Sequence, residues 1–453
     1  MERVTDPFIS SVLLVLAGYM FFDRAFAWLH IPRTPLFIGE AVLGIGLLTA
    51  IWSPNFAIFI RRNRSIQLLV LFMLWGLALT LQGFPRWGID AVRDGALWYY
   101  GLFALVLGTL MLTRPSLFDR LARLYARVIP VWLIVAFARL AMANREWPLR
   151  IPDSDVSITY HKVGNIAVHG GMVILFMALI VWPKASAQMR RRITLYSIPA
   201  FILLIAVGTQ TRGGLIAAAV AMIIAFVLER HTRRLMIVGV SGLLVVFLVA
   251  VALDVTFELE RRELSARQFL GNVTSLFSTG FAEEGQGVDE VTNTATWRTV
   301  LWTNVLDDLL EPERAVSGFG FGINLADRYR YEGGPIDREL RLRNPHNSHL
   351  SVLARMGLVG AGLWIALWSA WFFRMYKVWN TFRSGPDRER AMQALWLALA
   401  ALAILVNAFF DPTVEGPQVG IWLWSLFGIG AYLGMSSPTA PKRPTLEYVG
   451  TAR

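Results

Sequence analysis

The chain has 453 residues, of which 55% are hydrophobic and only 17% are charged. A soluble globular protein carries about 25% charged residues, so this composition excludes a soluble enzyme. The 17 Trp and 28 Phe residues also exclude a disordered chain, because such chains have little apolar surface to bury. The absence of cysteine excludes disulfides, thiolate metal sites and cysteine nucleophiles. The composition predicts a polytopic membrane protein, in which the placement of the cations matters more than the net charge of +11.

Twelve apolar runs follow one another along the chain, and each approaches the roughly 20 residues that a spanning helix needs. They lie near 8–29, 35–52, 65–82, 95–113, 124–143, 165–183, 193–209, 213–229, 235–253, 350–373, 390–410 and 417–435. Lys and Arg predict the orientation, because short cytoplasmic loops retain cations. Among the short connections, one alternate set holds 19 of them and the other holds 7. We therefore predict an all-α integral membrane protein with about twelve spans and both termini in the cytoplasm.

One connection, 254–345, is far longer than the others and lies on the predicted outer side. It holds 16 Asp and Glu against 10 Arg, but its basic residues crowd toward its C-terminal end. It is either a solvated acidic loop or an external catalytic cap that offers cations to an anionic substrate. The predicted organisation is nine spans in 1–253, the large outer loop 254–345, a motif helix with spans ten to twelve in 346–437, and a cytoplasmic tail 438–453.

A histidine motif, Asn344-Pro345-His346-Asn347-Ser348-His349, directly follows this loop. Pro345 keeps its predecessor extended and is tolerated in a first helical turn, which predicts His346 at or near a helix N-terminus on the outer face. The ordinary pKa of histidine lies near neutrality, so His346 could take a proton from an attacking hydroxyl. Two alternatives stay open: His346 and His349 cap the helix or anchor it at the interface, or they bind a metal ion.

Arg212 is the second candidate, within the segment Gly208-Thr209-Gln210-Thr211-Arg212-Gly213-Gly214 between two apolar runs. An arginine so close to the hydrocarbon is costly and indicates function by default. A guanidinium suits phosphate oxygens, and the following helix N-terminus offers N–H groups to an anion. The alternative is an interfacial anchor whose charge reaches the headgroups.

The large loop contains a predicted amphipathic helix around Trp297-Arg298-Thr299-Val300-Leu301-Trp302. Arg298 could face the same anion as Arg212, or it could pair with Asp307 or Asp308. The glycine run 318–322 could hold a phosphate or a sugar, although no predicted strand precedes it.

Further polar groups on the predicted outer side are candidates for substrate binding: Arg93, His161, Asn347, His349 and Arg343. Glu40 and Asp411 are acids inside or at the edge of the membrane. They serve either as structural partners or as part of a proton or acceptor path.

These motifs resemble those of the O-antigen ligase and O-antigen polymerase superfamily of bacterial polysaccharide assembly. Its signature is His followed by Asn, Ser or Gln, nine residues and Gly-x-x-Gly, and this chain has His346-Asn347, nine residues, Gly357 and Gly360. The resemblance extends to the Thr-x-x-Arg-Gly turn at Arg212, the Trp-Arg-x-x-x-Trp helix at Arg298, and the Pro and Gly-x-Gly stretch before the motif.

The resemblance implies a metal-independent glycosyltransferase of the GT-C type in the bacterial inner membrane. Such an enzyme takes a glycan from undecaprenyl pyrophosphate on the periplasmic side and passes it to an acceptor hydroxyl, without a cofactor and without nucleic acid. Carried over, Arg212 and Arg298 hold the pyrophosphate, and His346 activates or orients the acceptor. Ligase and polymerase share the signature, with a lean toward the ligase. The rival classes are a lipid-linked glycan flippase or transporter, which needs a mid-membrane site, and a structural scaffold.

Overall fold

The structure is a computed structural model that describes residues 2–31, 34, 36–142, 149–152, 154, 156–252, 256–258, 263–265, 288–328 and 343–435. Nearly half of the predicted outer loop and the whole predicted tail 438–453 lie outside the described residues.

The first part of the chain forms a series of helices that break at proline, glycine and polar residues. They are α1 Glu2–Ala27, α2 Ile38–Ile51, α3 Pro54–Arg61, α4 Arg64–Trp87, α5 Ile89–Asp94, α6 Ala96–Tyr99, α7 Leu102–Thr113, α8 Leu117–Ala141, α9 Val163–Phe176, α10 Ala187–Gly208, α11 Arg212–Leu228 and α12 Arg230–Ala252. A π-helical turn, Met177–Val181, and a 3-10 turn, Trp182–Lys184, extend α9.

Two short antiparallel strands follow, β1 Thr256–Glu258 and β2 Glu263–Ser265. They depart from the all-α prediction, although the described chain is otherwise helical. The remaining helices are α13 Val288–Leu309, α14 Pro312–Ala315, α15 Leu325–Arg328, α16 Ser348–Phe382, α17 Arg388–Asn407 and α18 Pro417–Met435.

Eight of the described helices are long and apolar enough to cross a membrane, or up to ten spans if each of two bent helix pairs counts as one. The bent pairs are α2 with α3 and α5–α6 with α7. A helix lies at each of the twelve predicted positions, but α11 and α12 are not among the ten. The multi-pass membrane fold is thus confirmed, whereas the count of twelve stays a prediction.

The centre of the helix bundle consists of α9, α17 and α18, whose apolar spans are 83%, 78% and 89% buried inside the protein. The spans of α4 and α8 are only 33% buried, which places much of their surface at the periphery. Helices that are apolar on all sides are expected inside a bundle, because every face can be buried. The central helices therefore fix the positions of the polar turns at their ends.

The long helix α16 bends at Gly357, which has a φ of 62°. The glycine run meets this bend closely: a Cβ at Gly357 would lie 2.3 Å from the Val316 carbonyl oxygen, and one at Gly318 would lie 2.4 Å from that of Ala354. The Phe319 N–H donates to the Ala354 carbonyl at 2.7 Å, which satisfies an acceptor freed by the bend. Glycine is required here by backbone contact, since only glycine combines positive φ with such an approach.

Candidate functional site

His346 lies two residues before α16 rather than in its first turn. Its φ is 55°, an uncommon value for a residue with a side chain, and its N–H donates to Asn344 Oδ1 at 3.2 Å. Asn347 caps the helix by accepting the N–H groups of His349 and Leu350 at 3.0 and 3.1 Å. Pro345 precedes this cap, and His346 lies next to the N-cap residue, as predicted for a position at or near a helix N-terminus.

The turn between α17 and α18 contacts the start of α16 through buried Ser348. The Ser348 N–H donates to the Ala408 carbonyl at 2.8 Å, and its hydroxyl donates to the Asp411 carbonyl at 3.3 Å. The same hydroxyl accepts the Val414 N–H at 3.2 Å. These bonds hold Asp411 beside the histidine motif.

Asp411 is the acid that faces His346, with Oδ1 3.9 Å from His346 Nδ1. The same oxygen forms an ion pair and hydrogen bond with Lys162 Nζ. Burial alone would raise the pKa of Asp411, but the charge and hydrogen bond of Lys162 outweigh it and lower that pKa. Burial lowers the pKa of His346 to about 4, and Lys162 adds to this shift while Asp411 opposes it. At neutral pH the site therefore holds an ionised carboxylate beside a neutral imidazole.

Two arginines add positive charge around His346 and Asp411. Arg298 on α13 has a pKa lowered by burial, partly offset by Asp411, and its Nε has no hydrogen-bond partner in the described part of the chain. Arg24 on α1 donates to the Tyr160 hydroxyl at 2.5 Å and also lowers the pKa of His346. Three cations thus share one carboxylate, and the excess of positive charge suits an anionic ligand.

Arg212 is the first residue of α11, whose N-cap is Thr211. The next residue, Gly213, packs against Phe410, since a Cβ there would lie 2.5 Å from the Phe410 Cβ. The start of α11 therefore lies beside the residue that precedes Asp411. A helix N-terminus at this position adds to the attraction for an anion.

Arg343 lies in a separate ion-pair network rather than beside His346. It contacts Asp90 at 3.2 Å and Asp94 at 3.1 Å and donates to the Gly322 carbonyl at 2.8 Å. Arg355, only 1% exposed, also pairs with Asp94 at 2.9 Å. These contacts give Arg343 and the glycine run a structural role. Their predicted roles in substrate binding stay predictions.

The other candidates occupy different surroundings. His349 Nδ1 accepts from Trp364 Nε1 at 3.1 Å, and its Nε2 lies 2.9 Å from the Leu405 carbonyl, so both ring nitrogens have protein partners. His161 Nδ1 lies 2.7 Å from the Thr159 carbonyl, and burial lowers its pKa. Arg93 is exposed on α5.

Glu415 is a partly buried acid that the sequence did not single out. Burial raises its pKa to about 7, although Arg355 opposes the shift, and its Oε1 has no hydrogen-bond partner among the described residues. Within the same residues, no group of three or more His, Asp or Glu side chains is arranged to hold a metal ion.

The family model for O-antigen ligase matches residues 197–365. Over these residues the chain is similar to the O-antigen ligase family. This match covers more than a third of the chain and includes Arg212, Arg298 and His346, and it confirms the resemblance stated from the motifs. A search of curated proteins found no match.

The partners of His346 come largely from outside the matched segment 197–365. Asp411 follows it in the chain, and Arg24 and Lys162 precede it. The sequence indicated Asp411 as an acid at the edge of the membrane, and Lys162 directly follows the candidate His161. The sequence missed their association because residues more than 240 positions apart in the chain meet only in the folded bundle.

Proposed function

We propose that the protein is a glycosyltransferase that moves a glycan from undecaprenyl pyrophosphate to an acceptor hydroxyl. The observation that carries this proposal is the arrangement of His346 against Asp411 within a group of three cations. A base and an anion site are the two elements that glycan transfer from a lipid pyrophosphate needs. The O-antigen ligase match supports the same reaction class.

The cations act on the leaving group. As the bond between the anomeric carbon and the pyrophosphate oxygen breaks, negative charge gathers on the pyrophosphate. Arg298, whose buried Nε has no hydrogen-bond partner among the described residues, and Arg212 at the start of α11 are the proposed ligands for that charge. Fixed cations in a water-poor site stabilise such charge strongly, because they need no reorganisation during the reaction.

His346 acts on the acceptor. Its low pKa keeps the imidazole neutral at pH 7, so a ring nitrogen can take the proton of the acceptor hydroxyl as the new carbon–oxygen bond forms. Asp411 lies on the Nδ1 side and stabilises the resulting imidazolium. The proton ends on His346, and undecaprenyl pyrophosphate leaves.

We further propose that the protein lies in the bacterial inner membrane with this site on the periplasmic side. The basic connections favour that orientation, with 19 cations against 7. Single transfer to lipid A–core, as by a ligase, is our first assignment. Repeated transfer, as by a polymerase, uses the same chemistry and differs in the acceptor.

Variants of His346 test the proposal directly. His346→Ala should lower transfer by at least about 100-fold, the usual contribution of a general base, while the protein still purifies as a folded monodisperse species. His30→Ala is the matched control, because the His30 side chain bonds to the nearby Trp28 carbonyl at 3.2 Å and packs against Phe37. Full transfer by His346→Ala would contradict the assigned role, as would an equal loss in the control.

A further inference from the structure

We propose that Asp23 is a positioning residue: it anchors the backbone of Lys162, so that the Lys162 ammonium group stays on Asp411 and weakens the attraction of that carboxylate for a proton on His346. This inference rests on the proposed function. It assigns a task to α1 and to the segment before α9, both outside the matched segment 197–365.

Asp23 stands out because it interrupts a membrane-spanning helix. Its φ is 45° and its ψ is −119°, inside α1, and it is only 5% exposed. Residues with a Cβ rarely adopt this backbone, and they keep it only where the surroundings enforce it. An acid buried near the end of a span also indicates function by default.

The Asp23 carboxylate has two partners near the start of α9. It accepts the backbone N–H of Lys162 and the side-chain amide of Asn165, the latter at 2.7 Å. Two neighbours of Asp23 contact the same segment, since the Ala25 N–H donates to the Tyr160 carbonyl at 3.2 Å. Arg24 donates to the hydroxyl of the same tyrosine. The break in α1 thus provides the groups that hold residues 160–162.

Arg139 on α8 holds this segment from another direction. Its guanidinium donates to the carbonyls of Thr159 at 3.1 Å and Tyr160 at 2.6 Å. It also donates to the Phe21 carbonyl at 2.7 Å, just before the break in α1. The Lys162 backbone is therefore fixed by charged groups from two helices.

The Lys162 side chain extends from this fixed backbone to Asp411. Its ammonium contacts Oδ1, the same oxygen that lies 3.9 Å from His346 Nδ1. While Lys162 neutralises that oxygen, the carboxylate attracts a proton on His346 only weakly. If Lys162 moved away, the Asp411 charge would act on His346 with no cation on the same oxygen.

The position of the Lys162 ammonium group affects the pKa of His346, together with the other charged groups around the imidazole. The groups that act on it are Asp411 from the turn after α17, Lys162 from the segment before α9, Arg298 from α13 and Arg24 from α1. Asp411 raises this pKa and the three cations lower it. Loss of the Lys162 ammonium should therefore raise the pKa of His346.

The experiment measures transfer from a defined lipid-pyrophosphate glycan against pH, at donor concentrations below KM. We expect Lys162→Met to move the acidic limb of kcat/KM upward by about one pH unit, the usual effect of a charge a few ångströms away. Lys162→Arg keeps the cation, so its acidic limb should lie close to that of the wild type. A limb that Lys162→Met leaves unmoved would overturn the inference.

Asp23→Gly gives the sharper test, because glycine relieves the strained backbone and removes only the carboxylate. Direct loss of a negative charge would lower the pKa of His346, so the limb would move to lower pH. Release of Lys162 would instead raise the pKa of His346, so we expect Asp23→Gly to move the limb to higher pH. Adding Lys162→Met to Asp23→Gly should not enlarge this shift, because both changes act through the same ammonium group. A downward shift, no shift or additive shifts would overturn the positioning role.

Glu229→Gln is the matched control. Glu229 is also 5% exposed and accepts two hydrogen bonds of 2.9 Å, from Trp379 and Arg388, at the predicted cytoplasmic end. We expect it to lower thermal stability without moving the pH profile. If the wild type fails to transfer at all, the proposed function fails. If transfer still needs His346 but the Asp23 shift is absent, only this inference fails.

Discussion

At the scale of single residues, the site combines a histidine of low pKa with a cluster of cations. The low value follows first from burial and then from Lys162, Arg298 and Arg24. A pKa of about 4 makes His346 a weak base in the free protein. A bound pyrophosphate would offset the cations and strengthen that base, so we infer that donor binding prepares the histidine for its task.

This argument predicts two different pH dependences. The acidic limb of kcat/KM, which reports the free protein, should lie near pH 4 because His346 becomes protonated there. The limb of kcat, which reports the donor complex, should lie at higher pH because the bound anion raises the pKa. Rates measured at limiting and saturating donor between pH 3 and 8 check this. Coincident limbs, or a kcat limb at lower pH, would contradict it.

Arg298 should contribute to donor binding as well as to stabilising the leaving group. Arg298→Ala removes a charged donor to the pyrophosphate, a loss of about 1.5–3 kcal/mol that raises the donor KM by roughly 10- to 100-fold. Arg314→Ala is the control in the same part of the chain, since Arg314 pairs with Glu311 at 3.0 Å on the surface. Initial rates over a donor series give both constants. An unchanged KM for Arg298→Ala would remove it from the site.

At the scale of elements, the bend of α16 joins the histidine motif to the glycine run. Gly357 and Gly318 both have positive φ, and each approaches the backbone around the other. The Gly-x-x-Gly part of the motif therefore allows the bend of α16 to pack against the glycine run, and it does not itself form the site. Arg343 and Arg355 hold the same region through Asp94.

Glycine substitutions in α16 separate this role from general helix stability. Gly357→Ala should destabilise the protein by about 1–3 kcal/mol, because alanine at φ 62° is strained and its Cβ meets the Val316 carbonyl. Gly362→Ala in the same helix should be neutral or stabilising by up to about 1 kcal/mol, since a Cβ there meets nothing within 4 Å. Thermal unfolding in detergent measures both. Equal melting temperatures would refute the packing argument.

The sequence predicted the helices better than the tertiary contacts between them. Apolar runs located the helices because hydrophobicity is a local property, and the helix carrying Arg298 was confirmed for the same reason. The contact of the glycine run with α16 could not be predicted, because it is tertiary. Asp23, Arg24 and Lys162 gave little local signal, since each gains its importance from the bundle.

At the scale of the whole molecule, the site is assembled at one end of a helix bundle from segments spread over the chain. α1, the start of α9, α13, the start of α16 and the turn after α17 each contribute a group. All of them lie on the predicted outer side. This gathering on one side fits transfer at a membrane surface better than transport through the middle.

The predicted topology is testable because the chain has no cysteine. Single cysteines at Ser186 and Arg230 should react with an impermeant maleimide only after the membrane is opened, and those at Ser154 and Thr299 should react from outside. Arg230 and Thr299 flank α12, so this pair tests whether that helix crosses. Equal labelling of the two would contradict twelve spans.

The most direct test of the central claim is product analysis with purified protein and a defined lipid-pyrophosphate glycan, with a chelator present. The account predicts a glycan joined to the acceptor and released lipid pyrophosphate, both lost in His346→Ala and both insensitive to the chelator. Product length separates one transfer from many. Intact donor that crosses a vesicle membrane without cleavage would contradict the account and favour a flippase.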